Sequence, residues 1–102
     1  MKEYEVYIPI FYNDGSPIEE IKFVRLREQL LEQFGGFTFF SQPHKGYWKF
    51  GGVTYRDEIV IYRVFAANAR SAQKFLSKLK SELKKDLNQE EILIVEKGAK
   101  KV

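Results

Sequence analysis

The residues of this chain that could do chemistry lie mostly between positions 35 and 66. This stretch contains the only tryptophan, Trp48, the only histidine, His44, and an adjacent acidic pair. Histidine is the usual general base near neutral pH, so conventional acid–base catalysis would start at His44. The segment around it predicts a polar hairpin turn over 42–46, where a solvated histidine without a catalytic role is the favoured interpretation.

The acidic pair, Asp57 and Glu58, stands at the start of a predicted strand. Successive side chains on a strand point to opposite faces, so these two carboxylates cannot form a paired acid–base site by themselves. Arg63 lies farther along the same strand and interrupts an apolar face. We expect Arg63 to reach a carboxylate in a structural ion pair, with a ligand clamp as the alternative.

Other reaction motifs are missing from the sequence. The chain has no cysteine, which excludes disulfides, thiolate metal sites and thiol nucleophiles. One histidine is too few for most transition-metal sites. The glycine pairs at 35–36 and 51–52 lack the spacing of phosphate or dinucleotide loops and indicate turns instead. We therefore expect neither a metal nor a cofactor.

The composition predicts one small domain. With 102 residues, 44% of them hydrophobic, the chain can bury a core of its own. Its net charge of +3 comes from the end of the chain, where Lys97, Lys100 and Lys101 follow a neutral body. We predict a domain over 1–96 and a short basic tail over 97–102. No segment has the roughly 20 apolar residues of a membrane helix, so we expect a cytoplasmic protein without a membrane partner.

The spacing of apolar residues predicts six elements in the order β-α-β-β-α-β. Ser16, Pro17 and Glu19 predict the start of the first helix, as a capping hydroxyl, a proline at the first helical position and a capping-box carboxylate. Asn68 is expected to cap the second helix. The predicted elements are strands at about 3–12, 37–41, 53–66 and 90–96, and helices from Pro17 to the glycine pair at 35–36 and from Asn68 to about Leu87.

This order predicts an α+β fold of the ferredoxin-like, or split β-α-β, type. Such a domain has a four-stranded antiparallel sheet with both helices on one face. One residue conflicts with it, because the first strand is central in this topology and Pro9 cannot donate a ladder hydrogen bond. We expect the first strand to be distorted or to end near Pro9.

The sheet face away from the helices is predicted to be apolar. It carries Tyr7 on the first strand and Ile59, Ile61 and Phe65 on the long third strand. An apolar patch of this size usually marks a binding surface. Three interpretations stay open: loops or the tail cover the face, a homodimer forms through it as in proteins of the dimeric α/β-barrel type, or it is a platform for a ligand or for nucleic-acid bases. Self-association is the favoured one.

Basic residues on the second helix support a nucleic-acid alternative. They fall on one side of the helix and could contact phosphates, although a solvated helix face is the more ordinary explanation. Together with Tyr7 and Tyr62 as stacking residues, these basic residues would form a nucleic-acid binding surface of low specificity. This basic stripe consists of Arg70, Lys74, Lys78 and Lys85.

Four short motifs also invite comparison with known proteins. Together they resemble a family of small uncharacterised prokaryotic proteins, a domain of unknown function with a Gly-x-Trp hairpin and a final strand led by Gln. The resemblance implies the ferredoxin-like fold and no established activity, so it assigns no catalytic residue. The motifs are Gly36-Phe37-Thr38, Gly46-Tyr47-Trp48, Asp57-Glu58 before a hydrophobic strand, and Gln89 ahead of Ile92-Leu93-Ile94.

The sequence thus favours a small binding or regulatory module that self-associates through the open face of its sheet. The alternatives are the nucleic-acid binder and a small enzyme of the dimeric α/β-barrel type, whose pocket would lie between the sheet and residues 42–52. No motif names a small-molecule ligand. The candidate ligand or interface residues are Tyr7, Trp48, Tyr55, Glu58, Tyr62 and Arg63, with His44 as a weaker candidate.

Overall fold

The structure is a computed structural model that describes residues 1–102. Its six elements follow the predicted order β-α-β-β-α-β. They are β1 (Lys2–Pro9), α1 (Glu20–Phe34), β2 (Thr38–Phe50), β3 (Val53–Ala66), α2 (Ala69–Asp86) and β4 (Ile94–Gly98).

The four strands form one antiparallel sheet in the spatial order β2-β3-β1-β4. The ferredoxin-like fold predicted from the sequence is confirmed. Alternate residues of the central strands, Val6 and Ile8 of β1 and Val60 and Val64 of β3, are buried together with the apolar sides of both helices. The two helices therefore cover one face of the sheet and leave the other open. β1 ends at Pro9, as the missing amide of that residue indicated.

The predicted start of the first helix is wrong. α1 begins at Glu20, and Glu19, the residue before it, makes no side-chain capping bond. The Ser16 hydroxyl and amide both donate to Asp14 instead, in a local turn that competes with a cap. Backbone bonds from Tyr12 to Ser16 and from Ile18 to residue 10 close a small hairpin over residues 10–18. Ser16 does not cap a helix because this hairpin places the Ile18 side chain in the core, where it is 5% exposed.

The predicted turn over 42–46 is also wrong, because these residues continue β2. The strand pairs with β3 on both sides of a register shift between Phe40 and His44, and this irregularity accommodates Pro43. The hairpin turns at residues 51–52, where both glycines have positive φ angles. β4 likewise begins later than predicted and runs to Gly98, so Lys97 belongs to the sheet.

The glycine pair at 35–36 offers a test of backbone strain with an internal control. Gly35 ends α1 with φ 76°, and its amide donates to Leu31, whereas Gly36 has no positive φ. We expect Gly35→Ala to lower the free energy of unfolding by about 1 kcal/mol, since an L-residue is strained in this conformation. Urea unfolding should show no such loss for Gly36→Ala. Equal losses in the two variants would contradict this assignment of the strain.

Candidate functional site

The open face of the sheet divides into a charged end and an aromatic end. The pairing register places Glu3 and Glu5 of β1 beside Phe65 and Arg63 of β3. Toward the other end, Tyr7 pairs with Ile61, and Pro9 with Ile59. Most of these apolar side chains are only half-buried, and Phe65 and Leu93 are 44% and 54% exposed. The face is therefore mainly apolar, with a cluster of paired charges at one end and the carboxylate of Asp57 at the other.

The charge cluster is centred on Arg63. Its Nη2 lies 3.3 Å from Glu5 Oε2 and its Nε lies 3.3 Å from Glu3 Oε2. Lys97 of β4 approaches Glu5 from the other side, at 3.1 Å. The Arg63 guanidinium also lies over the ring of Phe40, 4.9 Å from its centroid. Arg63 thus makes a structural ion pair and does not stand free as a ligand clamp.

Glu5 is the buried member of this cluster, at 7% exposure. The hydrogen bond from Lys97 is the main reason that the pKa of Glu5 is lowered, and Arg63 lowers it further against the opposing effect of burial. The two cationic partners thus favour the charged form of this carboxylate inside the sheet. The cluster is therefore a structural feature of the sheet end.

The aromatic end contains an open cleft of about 300 Å³. Trp48 is held there by two contacts: its ring stacks on Tyr55 with centroids 4.6 Å apart, and its Nε1 donates to Asp57 Oδ2 at 2.7 Å. The β2–β3 hairpin brings these residues to one face, because Trp48 pairs with Tyr55, and Asp57 follows two residues along β3. The principal side chains lining the cleft are those of Tyr7, Trp48, Asp57, Ile59, Gln89 and Leu93.

The structure separates several residues that the sequence grouped together. Tyr62 is completely buried on the face toward the helices, opposite to Tyr7, so it is not a surface stacking residue. Glu58 lies on the same side as Tyr62, beside Lys45, and cannot join Trp48 in one pocket. His44 is exposed in β2, paired with Ile59, and not in a turn.

The enzyme pocket expected around Trp48 is therefore only partly present. Tyr7 and Trp48 line the cleft, and Tyr55 supports it by stacking. Arg63 lies six residues beyond Asp57 in β3, roughly 20 Å along the strand. Of the candidate residues predicted from the sequence, Arg63 and His44 thus do not line the cleft.

The basic stripe lies far from the open face. Arg70, Lys74, Lys78 and Lys85 are all exposed on α2, whose opposite side packs on the helix-facing side of the sheet. The stripe and the aromatic face consequently point to opposite sides of the molecule. A single nucleic-acid strand cannot contact the basic stripe and the aromatic face at one site. The two features therefore do not jointly support nucleic-acid binding.

Comparisons with known proteins extend only to the fold. No family model and no curated protein matches the chain. Among solved structures, a phage SAM lyase in complex with S-methyl-5′-thioadenosine is similar, with a TM-score of 0.70 at 12% identity over 94% of this chain and 79% of that one. CutA1, a divalent cation tolerance protein, from Thermus thermophilus has a TM-score of 0.68 at 12% identity, over 100% and 87% of the two chains. A CutA1 variant from Pyrococcus horikoshii gives 0.65 at 10% identity, over 100% and 86%. At such identities the likeness shows a ferredoxin-like α+β domain and nothing finer.

Asp57 and Gln89 are two of the cleft residues that are not among the candidates predicted from the sequence. Asp57 points away from Glu58, and its partner is Trp48 across the hairpin. Gln89 reaches the cleft from the segment before β4 and is 6% exposed. The contact of Asp57 with Trp48 could have been predicted by placing the hairpin turn at residues 51–52. Nothing in the sequence indicated that Gln89 reaches the cleft, apart from its place in the family resemblance.

Two further properties concern metals and membranes. The structure contains no group of three or more His, Cys, Asp or Glu side chains arranged to hold a metal ion. Neither helix is long and apolar enough to cross a membrane.

Proposed function

We propose that the protein is a small binding module that self-associates through the open face of its sheet. The observation that carries this proposal is the apolar surface between Tyr7, Ile61 and Leu93, which neither helix covers. Burying such a surface is favourable by about 25 cal/mol for each Å² removed from water. A second copy is the simplest occupant, since a twofold axis brings the same face of both chains together as a homodimer.

The charges on the open face are consistent with burial in an interface. Glu3, Glu5, Arg63 and Lys97 already neutralise one another within one chain. A second copy would therefore meet matched charges at one end and mainly apolar side chains over the rest, where Asp57 is hydrogen-bonded to Trp48. Interface cores commonly have this character, being poor in unpaired charge and rich in aromatic residues. The binding role draws further support from the cleft and from the phage lyase of similar fold, which is described with a bound small molecule.

A matched pair of leucines tests the self-association. Leu93 on the open face and Leu31 on α1 are 54% and 53% exposed, so the same substitution changes nearly equal surfaces. We expect Leu93→Glu to shift the protein toward monomer by at least about tenfold in dissociation constant, because each copy would bury a new charge. Light scattering and sedimentation should detect the shift, with Leu31→Glu unchanged. A wild-type monomer at high micromolar concentration would refute the proposal.

A further inference from the structure

The cleft at the aromatic end has a chemical character of its own. Its apolar lining includes Tyr7, Trp48, Ile59 and Leu93, and no lysine, arginine or histidine lines it. This absence matters, because the chain as a whole has more basic than acidic residues. The charged side chains at the cleft are both acids, Asp57 and Glu91.

Only one of these two acids is available to a ligand. Glu91 is paired with Lys80 at 3.0 Å and accepts the amide of Ile92, and Lys80 lowers the pKa of Glu91. Asp57 makes no ion pair; its single protein hydrogen bond comes from the uncharged Trp48 indole. A half-buried carboxylate without a cationic partner is an uncompensated charge. A positively charged ligand would compensate it.

Gln89 is a second, independent reason to expect a ligand that donates a hydrogen bond or carries a positive charge. The Gln89 side chain is more than nine-tenths buried and lines the cleft, and its Nε2 is used in a bond to Leu87. Its side-chain oxygen accepts no hydrogen bond from the protein. The polar groups left free at the cleft are therefore acceptors. They stand beside aromatic rings, whose faces attract cations.

From this arrangement we propose that the cleft binds a small organic cation with an apolar body, of the quaternary or alkyl ammonium class. Trp48 and Tyr7 would contact the apolar groups around the charge, and Asp57 would supply the opposing charge. The volume of about 300 Å³ lies at the lower end of ligand sites and limits the ligand to a small one. The inference rests on the binding role proposed above. Every side chain that it uses comes from one chain, so it does not require self-association. Tyr7 and Leu93 also belong to the surface proposed for the dimer, so the titration is made at a protein concentration at which light scattering shows the monomer.

The only tryptophan of the protein stands in the cleft and reports on binding. The full chain would be titrated with choline chloride and with its neutral isostere 3,3-dimethylbutan-1-ol, at constant ionic strength set with sodium chloride. We expect saturable quenching or a shift of the Trp48 emission by choline. The neutral isostere should bind at least about tenfold more weakly, as the loss of a cation–π contact and of a carboxylate partner implies.

Two isosteric variants test whether choline binds next to Asp57. Asp57→Asn keeps an acceptor for the Trp48 indole but removes the charge, and it should weaken choline binding at least about tenfold. Asp86→Asn makes the same change on the exposed end of α2, away from the cleft, and should leave binding unchanged. Calorimetric or circular dichroism melts would verify that both variants are folded.

Three results would overturn the inference: no saturable response to choline up to tens of millimolar, equal affinities for choline and the alcohol, or unchanged affinity in Asp57→Asn. Failure here is distinguishable from failure of the self-association proposal. Light scattering reports the oligomer independently of any ligand, and a monomer that binds choline would retain the cleft while losing the dimer.

Discussion

Replacing Tyr62 with alanine is expected to lower the free energy of unfolding by about 4 kcal/mol. Tyr62 is fully buried in the centre of β3, and its ring stacks on Phe39 with centroids 4.5 Å apart. Phe37 contacts the same ring edge-on at 5.8 Å. Removing the ring therefore creates a cavity where β2, β3 and α1 meet, and the neighbouring side chains cannot all close it.

Two tyrosine variants separate the contributions to this loss. The Tyr62 hydroxyl accepts a hydrogen bond from Arg27 at 3.3 Å, so Tyr62→Phe should cost only about 1 kcal/mol. Tyr47, which lies in the same hairpin and is 65% exposed, should tolerate alanine within about 0.5 kcal/mol. Urea unfolding followed by circular dichroism gives all three values. A loss below about 1.5 kcal/mol in Tyr62→Ala would contradict the packing described here.

This expectation also changes how Tyr62 can be used in binding experiments. Tyr62 and Tyr7 were grouped by residue type, although alternation along two paired strands places them on opposite faces. The antiparallel register pairs Val6, not Tyr7, with Tyr62. A nucleic-acid affinity lost in Tyr62→Ala would consequently report unfolding. Tyr7→Ala is the informative substitution on the open face.

The sequence predicted the element order, and hence the fold, because local patterns determine it. The alternation of residues 59–65 can be recognised within one strand, and the leucine stripe of α2 within one helix. Features that depend on competition between local signals were predicted incorrectly. Ser16 can cap a helix or bond Asp14, and the choice follows from the burial of Ile18, which is a tertiary effect. Pro43 fits a turn or an irregular strand, and pairing with β3 decides in favour of the strand.

The candidate site was harder to predict, because it is assembled from distant segments. Trp48 and Asp57 meet through the hairpin register, which the position of the turn at 51–52 determines. Gln89 and Leu93 come from the far end of the chain, and their approach to Tyr7 depends on the pairing of β4 with β1. No spacing in the sequence encodes that contact. Residue type alone identified Trp48 and Arg63, but it could not show that they occupy opposite ends of one face.

The largest electrostatic effect is expected at that other end, in Arg63→Met. Loss of the guanidinium leaves Glu5, at 7% exposure, with Lys97 as its only cationic partner. Breaking a buried pair typically costs about 3–5 kcal/mol; since the Arg63 side chain is 33% exposed, we expect about 2 kcal/mol at pH 7. Arg56→Met is the control, because Arg56 is an exposed arginine of the same strand and should change stability by less than about 0.5 kcal/mol.

The pH dependence gives this prediction a signature that simple loss of packing would not produce. The folded-state pKa of Glu5 lies below its ordinary value of 4.5, so the unfolded state binds more protons in acid. The stabilisation is therefore fully present above about pH 4.5 and is lost as pH falls through the lower, folded-state pKa. Removing Arg63 raises that pKa. The stability difference between wild type and Arg63→Met should consequently shrink as pH falls below about 4.5, and a difference that stays constant from about pH 7 to about pH 3 would contradict the charge assignment.

A double substitution tests whether the loss arises from the unpaired carboxylate. In Glu5→Gln/Arg63→Met the buried charge disappears together with its partner, and Lys97, whose side chain is 57% exposed, returns to water at little cost. We expect the double variant to be more stable at pH 7 than additivity of the two single variants predicts, by about 1 kcal/mol. Strict additivity would mean that Arg63 stabilises the sheet mainly through Glu3 and Phe40, not through Glu5. A positive coupling that vanishes in acid would identify Glu5 as the group that requires Arg63.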